Sequence, residues 1–175
     1  MTDILIAGIG NIFLGDDAFG VEIARALGQR ELPPGVVVKD FGIRGFDLAF
    51  ALDSAKTIIL VDAVSRGHAP GTLYTIEPEL ENLDEDGQAP DAHGMDPIQV
   101  LRLAKQMNVL AGRVLLVGCE PATFGPENEG AMGLSPAVED AVGRAVVLIE
   151  RMISGLLAQP EAPPAPESGV LTEAS

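Results

Sequence analysis

The chain has 175 residues, with 11 Lys and Arg against 26 Asp and Glu, a formal charge of −15 and a pI near 4.3. Its length suits one domain with a tail, and 47% hydrophobic residues against 21% charged allow a buried core and exclude wholesale disorder. The acidic balance excludes a nucleic-acid binder, which needs clustered Lys and Arg, and argues against docking on an anionic membrane; the single Cys excludes an internal disulfide framework.

Taken in chain order, Ile4–Ala7 is an apolar run closed by Gly8-Ile9-Gly10, which predicts a strand buried on both faces. Ala18–Arg30 carries Val21, Ile23, Ala24, Ala26 and Leu27 at helical spacing and is stopped by Pro33-Pro34-Gly35. Val36–Val38, closed by Asp40-Phe41-Gly42, predicts a second strand. A short helix over Phe46–Ser54 leads to a third strand, Thr57–Val61, closed by Asp62. Gly71–Ile76 follows too soon for a crossover helix, so it predicts an antiparallel strand. Asp96–Val109 predicts a helix with Asp96 as N-cap and Pro97 at its first position. Val114–Val117, closed by Gly118, predicts the last strand, and Leu134–Leu157, opened by Ser135-Pro136, the last helix. Residues 158–175 turn to Pro, Glu, Ala and Ser and predict a disordered tail, which places the domain at 1–157. Alternating strands and helices predict parallel pairing with right-handed crossovers. The expected fold is an α/β three-layer α/β/α sandwich. Its five-stranded, mostly parallel sheet takes the order 2-1-3-5-4, with strand 4 antiparallel.

The first loop, Gly8-Ile9-Gly10-Asn11-Ile12-Phe13-Leu14-Gly15-Asp16-Asp17, joins a strand to a helix, the context of a dinucleotide site. However, Phe13 stands where the third glycine belongs, and two carboxylates would repel a pyrophosphate at the helix N-terminus. Helix capping and macrodipole compensation account for one of Asp16 and Asp17, which leaves the other surplus. Asp62 ends an apolar strand and either caps a turn or faces the crevice above the sheet. In such sheets ligands sit outside the carboxyl ends of strands where the strand order reverses, so the first loop and Asp62 converge there. Two acidic groups brought together suggest a shared-proton pair or a metal. His68, in a Pro-Gly turn, reads as a solvated loop residue. His93, taken alone, reads the same way, but with Asp17 and Asp62 it completes a mixed N/O set suited to nickel or zinc. Cys119 has no basic neighbour in sequence and reads as a buried, inert thiol. His-Glu-x-x-His, Gly-x-Ser-x-Gly and Asp-Thr/Ser-Gly sets are absent from the sequence.

Gly8-Ile9-Gly10-Asn11 through Asp16-Asp17 to Gly20-Val21, then Asp40-Phe41-Gly42 with Gly45, Val61-Asp62-Ala63, Pro70-Gly71-Thr72, His93-Gly94 and Gly133-Leu134-Ser135-Pro136 are spread through residues 3–157. In that order they resemble the hydrogenase maturation endopeptidases, which trim the C-terminus of the large subunit of NiFe hydrogenases. The resemblance implies a phosphorylase/hydrolase-like α/β/α fold and a peptide-bond hydrolase, aspartic-type by family classification. It implies that Asp17, Asp62 and His93 form the metal-binding and catalytic set. That set would read nickel carried by the precursor of the large subunit, with no permanent cofactor. Asp17 stands where many members have Glu, and Ile43 where many have Thr. Water would be activated by the metal or by Asp17 or Asp62 acting as base. A non-catalytic precursor-binding chaperone on the same fold is the alternative, and precursor mass before and after incubation separates the two.

Further expectations are no nucleic-acid or membrane partner, and a cytoplasmic monomer. No apolar run reaches the roughly 18–20 residues of a spanning helix, and no basic region of a signal peptide opens the chain. From Glu77 through Asp96 there are eight acidic residues and no Lys or Arg, a solvated stretch leading into His93.

Overall fold

In the computed structural model, residues 2–83, 96–110, 112–126 and 128–159 are described. Strand β1, Thr2–Ile9, pairs in parallel with β2, Val36–Gly42, on one side and with β3, Ala55–Ala63, on the other. Next to β3 runs β5, Arg113–Cys119, also parallel, and β4, Leu73–Ile76, closes the sheet antiparallel to β5. The order β2-β1-β3-β5-β4 is the one expected from sequence, including the reversed strand. Helices α1 (Phe19–Gly28), α2 (Gly45–Ala51), α3 (Pro97–Gln106) and α4 (Pro136–Ala158) complete the sandwich.

Successive side chains of a strand point to opposite faces, and here both faces are covered. Ile4, Ile6, Ile59 and Val61 pack on one face with Phe19, Ile23 and Leu27 of α1 and Val138, Ile149 and Ile153 of α4. Their alternates Leu5, Ala7, Ile58 and Leu60 pack on the other with Leu48 of α2 and Leu101 and Ala104 of α3. The unbroken apolar runs follow directly from this double burial.

Element ends differ from the sequence reading in ways that matter at the carboxyl edge. The helix expected from Ala18 opens instead as a 3-10 turn, Gly15–Ala18, before α1 begins at Phe19. Gly15 starts that turn at φ 55°, a left-handed conformation that Gly adopts without steric penalty. Strand β3 runs on past Val61, so Asp62 lies inside it, paired with Gly118. In α3, Asp96 is the N-cap as expected, accepting from the Ile98 amide at 2.9 Å. The last helix runs to Ala158, one residue beyond the expected end. Residues 160–175, most of the expected tail, lie outside the described residues. Among the described residues no helix is long and apolar enough to cross a membrane.

Candidate active site

The chain passes from β1 to β2 on one side and returns to β3 on the other, so the strand order reverses between β1 and β3. Ligands in open α/β sheets bind outside the carboxyl ends at such a point. The first loop is folded over it. Gly10, at φ 139°, donates its amide to the Gly42 carbonyl at 3.0 Å. The Asn11 side chain accepts from the Phe13 amide at 2.9 Å, an Asx turn, while the Asn11 amide donates to Asp17 Oδ2 at 2.8 Å. Leu14 forms a bridge to Ala131, with Gly15 donating to the Ala131 carbonyl at 2.8 Å. At the other end of the 3-10 turn, Gly20 presses on the end of β3. A Cβ there would stand 2.1 Å from the Val61 carbonyl oxygen.

This packing lays the 3-10 turn that carries Asp17 against β3, the strand with Asp62 near its end, and both carboxylates are buried, 7% and 3% exposed. Asp62 Oδ1 accepts from the Ala63 amide at 2.8 Å. The third predicted ligand, His93, lies outside the described residues. Among the described residues no group of three His, Cys, Asp or Glu side chains gathers at metal-binding spacing. Around the edge, Phe13, Ile43 and Phe46 are exposed.

Asp16 does something sequence reasoning did not find. Neither aspartate caps α1, whose N-cap is Ala18 with no side-chain hydrogen bond. Asp16 is fully buried and turned away to other segments. It accepts from the Ser135 amide at 2.6 Å, the Ser135 hydroxyl at 2.8 Å, the Ala122 amide at 2.8 Å and the Thr123 amide at 3.1 Å. Those partners lie more than a hundred residues along the chain, and no local pattern announces them.

Glu120, the residue after β5, was also missed. Its carboxylate accepts from the Arg66 and Gly67 amides at 2.8 and 3.1 Å and from the Tyr74 hydroxyl, so it anchors the chain leaving β3. Burial pushes its carboxyl up, but these hydrogen bonds outweigh that and hold it below the usual carboxylate range. The Tyr74 hydroxyl is pushed up to about 12 by desolvation and by its bond to Glu120. Arg66 lies 5.4 Å over the Tyr74 ring, and His68, exposed as expected, sits 5.7 Å from it. Cys119 is fully buried, and burial pushes its thiol up to about 11, in keeping with an inert group.

Residues 21–152 match the protein family described as hydrogenase maturation protease. The hydrogenase 2 maturation protease of Escherichia coli is 34% identical over 157 residues, covering 87% of this chain and 90% of its own. A putative hydrogenase maturation protease of Methanocaldococcus jannaschii is 34% identical over 150 residues, covering 84% and 94%. Among solved structures, the hydrogenase maturating endopeptidase HybD of E. coli superposes with a TM-score of 0.73 at 31% identity, over 88% of this chain and 93% of that one. A family match over most of the domain, relatives of similar length and a shared fold agree with one another. The chain belongs to the hydrogenase maturation protease family and is a hydrolase of peptide bonds.

Proposed function

We propose that this endopeptidase removes a short C-terminal peptide from the nickel-loaded precursor of a NiFe hydrogenase large subunit, and that Asp17, Asp62 and His93 read the nickel. The observation that carries the reading is the pair of buried carboxylates, Asp17 and Asp62, at the carboxyl edge where the strand order reverses. Carboxylate oxygens with one imidazole nitrogen make a mixed donor set that suits a borderline divalent ion and leaves positions open for the precursor's own ligands. The nickel belongs to the substrate, so its recognition gates cleavage: a precursor without metal lacks the anchor that sets its scissile bond in the crevice. The exposed Phe13, Ile43 and Phe46 around the edge suit a protein substrate, which needs contact beyond the cut bond.

The test is to incubate the full chain with nickel-loaded and nickel-free precursor and follow precursor mass. Loss of a short C-terminal peptide from the loaded form alone is expected; intact precursor in both leaves a binding role in place of the enzyme. Asp17→Ala, Asp62→Ala and His93→Ala should each abolish processing while circular dichroism stays native, and full processing by all three would remove the assignment. The same reading takes the chain as a cytoplasmic monomer, which light scattering checks as a mass near 18.2 kDa.

A further inference from the structure

Asp16 has its carboxylate wholly out of solvent, met by three amides and one hydroxyl from two distant segments. One segment is the N-terminus of α4. Ser135 holds the N-cap position there, yet its hydroxyl makes no capping bond to the helix and donates to Asp16 instead. The carboxylate stands at the end of a 23-residue helix, where the macrodipole favours an anion. The other segment is the chain leaving β5, the strand that pairs with β3 at Asp62. There the Asp16 amide donates in return to the Thr123 carbonyl at 3.0 Å. The next residue is Asp17, whose side chain closes on the Asn11 amide.

We infer that Asp16 is a positioning residue. It ties the first loop to the β5 exit and to the start of α4, and so holds the 3-10 turn that carries Asp17 against β3, the strand with Asp62 near its end. Its effect on processing rests on the reading of Asp17 as a ligand to the substrate's nickel; its effect on the loop does not. Asp16→Asn keeps the size of the side chain but turns an NH2 group against N–H and O–H donors, so the clamp loses at least one bond.

Amide exchange of the full chain by NMR, together with kcat and KM on nickel-loaded precursor, tests this. In Asp16→Asn the Asn11 amide should exchange at least about tenfold faster while the Ile6 amide in β1 is unchanged, since only the loop is released. The kcat should fall about ten- to a hundredfold, as for other residues that orient ligands, with KM within about twofold. Ser135→Ala, which removes a single donor, should move both readouts the same way by less, and it carries the test if Asp16→Asn does not fold. A role in stability alone would speed exchange at Ile6 and Asn11 together. That result, or wild-type Asn11 exchange and kcat in a folded variant, overturns the inference. Faster Asn11 exchange in a chain that leaves loaded precursor intact upholds the clamp and removes the processing reading instead.

Discussion

Gly10 lies directly against Asp17: a Cβ at Gly10 would stand 1.7 Å from the Asp17 carbonyl oxygen. The backbone of the candidate ligand therefore rests on a residue with no side chain, at a φ of 139° that other residues rarely adopt. Gly10→Ala must push the 3-10 turn away from β1. The expected result is a stability loss of about 2–3 kcal/mol in urea unfolding, with processing reduced at least about tenfold. Wild-type processing by this variant would show that the position of Asp17 does not matter.

Glu120 makes the fold sensitive to acid. Its folded carboxyl lies below its ordinary value of 4.5, so its contribution is complete above that value and is lost as pH falls through the folded one. Glu120→Gln sets an amide NH2 against the amides of Arg66 and Gly67 or the Tyr74 hydroxyl. It should lose about 1–3 kcal/mol at pH 7, the range for a buried group left badly paired. The variant should also lose less stability than wild type on acidification below about pH 5, which unfolding free energies at several pH values would read.

Cys119 should resist alkylation in the folded chain. A thiol pushed up from 9.0 to about 11 carries roughly a hundredth of the thiolate at pH 8, and burial removes access as well. Reaction with iodoacetamide at pH 8 is expected to be at least about a hundredfold slower in buffer than in urea. Equal rates would place the thiol at the surface.

Two further substitutions separate burial from charge pairing. Ile59 is fully buried in β3 and packs with α1 and α4, so Ile59→Ala should cost about 2–5 kcal/mol. Glu77 makes a two-point contact with Arg113 at 2.7 and 2.8 Å, but the two side chains are 52% and 42% exposed. Solvent screening limits such a pair, and Glu77→Gln should cost less than about 1 kcal/mol. Thermal unfolding of both variants checks the order.

The sequence by itself determined the element order, the reversed fourth strand, the cap at Asp96 and the place of Asp62 at the carboxyl edge. Each follows from a short-range signal: unbroken apolar runs for doubly covered strands, a connection too short for a crossover helix, an Asp-Pro start to a helix. The family was legible too, because its glycines and acids recur in a fixed order along the chain. The tertiary structure alone decided what Asp16 and Glu120 do. Asp16 reads locally as a helix cap, yet its partner Ser135 lies 119 residues away; nothing near Glu120 in the sequence singles it out, yet Arg66, 54 residues back, donates to it. Periodicity and capping are set within a few residues, whereas a buried carboxylate takes whichever donors the packed layers bring to it, and only the folded chain specifies those.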